Sequence, residues 1–323
     1  MQHHKKVIKL SLFFFFLLFL AGRIGLFLHE FAGHALAWHV MGGRLAGFRL
    51  FIFGGGRVQY DQMHRLSNLS LTQQLTIQLS GIVVELAVGI ILAVLVIFLS
   101  TTRSIKALLV SLAGVLIVHA LFYLTVGTYY GSGDGHLLFN LFQEGVRRNF
   151  LIFTSTMAFG AAFLISYQFS PIIKSWLEDG YINRGKWIIL CCACIAVLFH
   201  TMLTIGERIL VNDTGYARIK TSENERLKAA ELSKFIAAYI EKYGTQPDNE
   251  QIQNLKKELK KKFWQFPLDI FLGIGIVVVS LFGFFKSRHD AYQDSDPITW
   301  KNVFCLGSTS MVVAGLILVL NQI

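Results

Sequence analysis

Charge is scarce in this chain. Of its 323 residues only 15% are Asp, Glu, Lys or Arg, while 54% are hydrophobic; ordinary soluble domains carry roughly a quarter of their residues as charges. Together with a mean hydropathy of +0.53, that deficit excludes a soluble globular protein and points to a polytopic membrane protein. The remaining charge sums to +10, but the basic residues are scattered between apolar runs. That arrangement suits loops beside an anionic leaflet and argues against a nucleic-acid partner. Cysteine is equally sparse. Cys191, Cys192 and Cys194 share one apolar run and Cys305 opens another, so the spacing encodes neither a disulfide framework nor a zinc ribbon. These thiols are expected to serve as small buried apolar residues.

About 20 mostly apolar residues cross a bilayer. Seven runs qualify, near 10–41, 75–100, 105–127, 149–169, 186–206, 268–285 and 303–321. A shorter apolar helix is expected near 135–146. The expected fold is therefore an all-α polytopic membrane protein with seven or eight transmembrane helices. The N-terminus, His3-His4-Lys5-Lys6 followed by Leu10 to Leu20, has the pattern of a signal peptide with cleavage near Ala21-Gly22. The apolar run resumes at Ile24, however, and an uncleaved anchor is more economical. Lys5, Lys6 and Lys9 favour a cytoplasmic N-terminus, yet Arg44, Arg49, Arg57 and Arg65 pull the next loop the same way. A bacterial cytoplasmic membrane is the expected location.

Four units are expected: 1–148 as a membrane core, 149–206 as additional spans, 207–266 as a polar helical insert and 267–323 as C-terminal spans. After Gly42-Gly43, short aromatic and β-branched runs flank Gly54-Gly55-Gly56, which predicts a β-hairpin. Its exposed edge either holds an extended peptide by β-augmentation or merely closes a loop. The insert carries 12 basic and 9 acidic residues. Ser222 to Tyr243 and Asp248 to Phe266 read as a solvated pair of helices, and Lys256-Lys257 and Lys260-Lys261-Lys262 suit a membrane interface.

Ionisable groups inside apolar spans are costly and mark functional sites by default. Arg23 either snorkels or pairs with a carboxylate, or else marks a break between two helical pieces. Glu85 calls for an arginine or a metal shell as partner, and His119 reads as a hydrogen-bonded core histidine. The densest cluster is Phe27-Leu28-His29-Glu30-Phe31-Ala32-Gly33-His34-Ala35-Leu36-Ala37-Trp38. In the zinc-protease pattern H-E-x-x-H, two histidines one turn apart bind the metal and the glutamate is the general base. Here the pattern is H-E-x-x-G-H, one residue longer. On a regular α-helix residues five apart point about 140° away from each other, which forbids a shared ion.

Two repairs are open. A π-bulge eased by Gly33 would let His29 and His34 bind zinc while Glu30 handles water. Otherwise the helix stays regular and Glu30 and His34, four apart, are the ligands. The first is favoured by a resemblance in spacing to the soluble dipeptidyl peptidase III family, whose two histidines both ligate zinc around a catalytic glutamate. Catalytic zinc takes three protein ligands and an open position. Asp134, in Gly131-Ser132-Gly133-Asp134-Gly135-His136, is the best third candidate, because irregular backbone at membrane depth is tolerated where it lines a wet cavity. It is also placed to cap the next helix.

The chain resembles the site-2 protease family of intramembrane zinc metalloproteases. The matching residues are His29-Glu30, Gly33-His34-Ala35-Leu36, Gly42-Gly43 with the hairpin after it, and Asp134-Gly135-His136-Leu137-Leu138-Phe139 through Arg147-Arg148. The resemblance covers roughly the first half of the chain. It implies one Zn2+ per chain held by His29, His34 and Asp134, Glu30 as general base, and a transmembrane protein as substrate. The chain departs from the family at Thr125 to Tyr130, where the family has an asparagine- and proline-rich lead, and at Ser80 to Glu85, where it has G-P-x-x-N. Two rival readings remain, a non-catalytic metal-binding scaffold or transporter and a di-iron lipid oxygenase. The second would need further histidine boxes, which His39, His64, His119, His136, His200 and His289 do not form.

Overall fold

The computed structural model describes residues 2–61, 69–99, 103–174, 182–214, 217, 220–286 and 299–322. His64, Arg65 and His289 lie outside the described residues. Helix α1 (Gln2–Phe27) runs without a break into a π-helix (Leu28–Ala35) and then α2 (Leu36–Val40). Strands β1 (Leu45–Leu50) and β2 (Gly56–Tyr60) follow, then α3 (Leu71–Phe98) and α4 (Arg103–Tyr130). A 3-10 turn (Gly133–Gly135) leads to α5 (His136–Leu141), α6 (Glu144–Lys174) and α7 (Ile182–Val211). The chain ends with α8 (Glu223–Tyr243), α9 (Asn249–Lys262), α10 (Leu268–Lys286) and α11 (Trp300–Leu320).

Seven helices among the described residues are long and apolar enough to cross a membrane, the first being the continuous segment Val7–Val40. This is an all-α polytopic architecture with a two-stranded sheet. The eighth candidate falls away: α5 has only six residues, far short of the length needed, and Glu144 to Arg148 begin the next span instead. At the other end of that region, α7 continues to Val211, so Glu207 and Arg208 belong to a span rather than to the polar insert.

The first helix is the central post. Phe13, Phe14 and Leu17 of α1 pack with Ile189, Cys192 and Ala196 of α7 and Val303 of α11. Further along, Ala21 packs with Leu112 and Leu116 of α4. Outward faces stay apolar, with Ile91, Phe98, Leu198 and Leu210 all exposed, as expected of helices whose association is driven by packing in lipid. The cysteines split: Cys192 is buried, but Cys191, Cys194 and Cys305 are exposed and all four are free. An exposed thiol on a span costs little when the solvent is hydrocarbon, so burial was not required.

The hairpin is antiparallel, with Phe48 opposite Val58 and a bulge between Leu45 and Gly47. Its turn is fastened by charges from two helices. Arg23 of α1 donates from Nη1 to the Phe51 carbonyl at 2.7 Å, and the helix runs through it without a break. Glu207 of α7 accepts from the N–H groups of Ile52, Phe53 and Gly54 at 2.5, 2.7 and 3.0 Å. At the outer edge of β1, the Asn321 amide exchanges two 2.7 Å bonds with the Leu50 N–H and C=O. That amide takes the place of a further strand at Leu50, and among the described residues no strand pairs with the other edge of β2, near the π-helix.

The two insert helices are capped as their sequences direct. Ser222 and Asp248 accept from Glu225 N–H and Gln251 N–H, and Gly244 ends α8 at φ +68°. The lysines of α9 from Lys256 to Lys262 are exposed, as is Trp264, shortly before the span that starts at Leu268.

Candidate metal centre

The extra residue of H-E-x-x-G-H is absorbed by the helix itself. From Leu28 to Ala35 the backbone is a π-helix, in which i→i+5 hydrogen bonds replace the α pattern. The Leu36 N–H, for instance, reaches the Phe31 carbonyl. Residues five apart then lie on nearly the same face, and the His29 and His34 rings stand 4.7 Å apart between centroids. Their Nε2 atoms are separated by 3.1 Å.

Gly33 contributes through close approach. A Cβ there would overlap the backbone of Gly81 in α3, and a Cβ on Gly81 would come within 2.8 Å of the His29 ring. The backbones of the π-helix and α3 can therefore come this close only because both residues are glycines. That contact brings a backbone carbonyl and a carboxylate of α3 to the outer nitrogens of the two histidines. His34 Nδ1 lies 2.7 Å from the Ile77 carbonyl, and His29 Nδ1 lies 3.2 Å from Glu85 Oε2.

A carbonyl only accepts, so His34 Nδ1 carries the proton and, in the neutral ring, Nε2 presents a lone pair. The Glu85 carboxylate favours the same tautomer of His29. Glu85 thus contacts the candidate metal cluster through His29. His119 bonds the same carboxylate at 3.2 Å, but its side chain is 52% exposed and lines a cavity, so it is not a core residue.

Asp134 comes from the far side. Gly131 and Gly133 adopt φ +65° and +52°, conformations that strain other residues, and the 3-10 turn between them and α5 aims the carboxylate at the histidines. Its Oδ2 is 2.9 Å from His29 Nε2 and 3.3 Å from His34 Nε2. The alternative role is not seen, since α5 has no side-chain cap. Burial raises the carboxyl of Asp134, but with no cation bound the imidazoles of His34 and His29, when protonated, outweigh it and hold the group well below the usual carboxylate range.

These three atoms fit a cation. Asp134 Oδ2 is buried and aligned for a hydrogen bond with no group, although two histidine nitrogens stand beside it. Lone pairs converging on one point repel unless a positive charge lies between them. Ligands about 2.0–2.1 Å from a tetrahedral zinc sit about 3.3–3.4 Å apart, and the observed 2.9, 3.1 and 3.3 Å separations need only a slight expansion. His29, His34 and Asp134 form the single group of three or more such ligands found among the described residues.

Glu30 is buried and lines two cavities that meet at the cluster. One, of about 440 Å³, is bounded by His34, Asp134 and the β2 residues Gly56, Arg57, Val58 and Tyr60. The other, of about 760 Å³, runs past Glu85, His119 and Tyr123 toward Arg208 and Glu225.

Comparison with protein-family models, with curated proteins and with solved structures returned no match.

Neither His136 nor His39 joins the cluster. His136 bonds the Gly131 carbonyl and Asn140 at 3.0 and 3.2 Å, and His39 is exposed. Two residues at the site carry no mark in the sequence. Lys220 lines both cavities, with its Nζ 3.9 Å above the Tyr123 ring. Lys220 stays accessible along the cavity walls, yet protein surrounds its ammonium. Burial pushes that group down to about 8, against the pull of Asp134 and Glu30. Lys220 lies in a polar linker without periodicity, and Tyr123 is one aromatic among many on α4. No local signal distinguishes either.

Proposed function

We propose that this chain is an intramembrane zinc metalloprotease that hydrolyses peptide bonds of membrane-spanning proteins. The observation that carries the reading is the π-helix, which puts His29 and His34 beside Asp134 and leaves Glu30 on the same cavity wall. A zinc ion held by His29, His34 and Asp134 would lower the pKa of water toward ~7 and polarise a carbonyl. Glu30 is the general base: it takes the proton of the attacking water and returns it to the departing amine. Glu85 and the Ile77 carbonyl hold the two imidazoles in the tautomer that turns Nε2 inward.

An extended substrate segment would lie along β2, whose unpaired edge borders the smaller cavity. The larger cavity reaches toward the polar insert and supplies water to a site at membrane depth. The oxygenase reading loses support because one three-ligand cluster cannot hold two irons, and the scaffold reading gives no role to the buried Glu30.

The test compares zinc-loaded wild type with Glu30→Gln in detergent or nanodiscs on a helical transmembrane substrate. Cleavage should fall by at least about 10² with zinc content unchanged. Undiminished cleavage by the variant would remove Glu30 from the mechanism.

A further inference from the structure

Resting on the hydrolase reading, we infer that Lys220 of the polar insert is a catalytic residue, whose ammonium stabilises the oxyanion formed on the substrate carbonyl during peptide-bond addition. The linker between α7 and α8 is then part of the active site rather than a solvated connection.

Position carries the argument. Besides the histidines, the cavity holding the ligand cluster is lined by two basic side chains, Arg57 and Lys220. Arg57 is committed to Asp213, 3.3 Å away. Lys220 lines the larger cavity too, and Glu30 and Tyr123 line both cavities with it. The Lys220 ammonium is held over the face of Tyr123, a favourable seat for a cation, and the Tyr123 ring is 5.9 Å from the His29 ring. Glu30 and Asp134 both attract it.

The chemistry requires such a group. Water adds through oxygen to the carbonyl carbon, its proton passes to Glu30, and the π pair of the C=O bond moves onto oxygen. Collapse restores the C=O bond, breaks C–N and delivers the Glu30 proton to the amine. In a water-poor cavity the transient negative charge is expensive unless a fixed donor awaits it. In the ground state the carbonyl is neutral, so the cation acts mainly on the transition state.

The experiment uses the full zinc-loaded protein, a neutral transmembrane peptide substrate, and a phosphinic peptide whose anionic tetrahedral centre mimics the oxyanion. Lys220→Met should lower kcat and phosphinic-peptide affinity on the order of 10²-fold, leaving KM and zinc content unchanged, and Lys220→Arg should recover part of both. Lys220→Gln, judged first by its zinc content, guards against a folding defect in the Met variant. Unchanged kcat and phosphinic affinity, or a change in KM alone, would overturn the assignment while the hydrolase reading stands. Conversely, Lys220-dependent phosphinic binding alongside full turnover by Glu30→Gln would support Lys220 and reject Glu30 as base. Wild type that neither cleaves the peptide nor binds the phosphinic probe rejects both.

Discussion

Gly33 of the π-helix and Gly81 of α3 meet backbone to backbone, with no room for a Cβ on either residue. The contact links two requirements of the site. It lets the widened helix lie against α3, and it places the Gly81 Cα directly under the His29 ring. Gly81→Ala would drive a methyl to within 2.8 Å of that ring, so the ring must move. We expect a loss of about 1–3 kcal/mol in stability from overpacking, with weakened zinc binding, measured by thermal unfolding and metal analysis. A variant with wild-type zinc affinity would show that His29 does not depend on this contact.

Glu85 orients His29 through Nδ1. Glu85→Gln keeps the size of the side chain but exchanges a charged acceptor for a neutral amide. Zinc affinity is expected to fall about 10–100-fold, read by competition with a calibrated chelator, while the helical content stays that of wild type.

Removal of the metal should loosen the site. In the apo protein the buried Asp134 carboxylate has the two histidines beside it to offset its burial, and a bound cation would tie all three together. Adding zinc at 100 times its Kd should raise stability by about 2.7 kcal/mol. That rise should vanish in Asp134→Asn if Asp134 is a ligand, a comparison accessible to thermal unfolding in detergent.

Lys220 should titrate early. An ordinary lysine has a pKa near ~10.4, but burial brings Lys220 down to about 8. In metal-free protein, the nucleophilic neutral amine therefore appears as pH rises through about 8. Pulsed acylation read by mass spectrometry should show Lys220 reacting with a midpoint near that value, well before the exposed lysines of α9. A midpoint near ~10.4 would indicate a fully solvated ammonium.

The hairpin turn depends on Glu207. Its carboxylate satisfies three N–H groups at once, and Glu207→Ala leaves them without it, at a cost of about 1–3 kcal/mol. Amide hydrogen exchange at Ile52, Phe53 and Gly54 should accelerate sharply, while exchange in α3 and α4 is unaffected.

Much of this architecture is legible in the sequence because its signals are local. The seven spans follow from run length and apolarity, the hairpin from Gly54-Gly55-Gly56 between β-prone stretches, and the helix caps from Ser222 and Asp248. The cluster residues His29, His34 and Asp134 are visible as costly polar groups in apolar surroundings. Sequence alone left the π-bulge and the regular helix as alternatives, since the contact that accompanies the π form joins Gly33 to Gly81 on another helix. The partners of Arg23, Glu207 and Lys220 were hidden for the same reason: each is a backbone carbonyl, a turn or a cavity assembled from distant segments. The exposed cysteines were misread because burial rules for water do not hold for faces turned to lipid.

Zinc-edge X-ray absorption of the purified protein, alone and as His34→Ala, tests the central claim that one ion bridges residues five apart on a widened helix. The account predicts about one zinc per chain, nitrogen and oxygen ligands at about 2.0–2.1 Å, and two imidazoles in wild type that fall to one in the variant. A wild-type shell containing a single imidazole, or one that His34→Ala leaves unchanged, would contradict it.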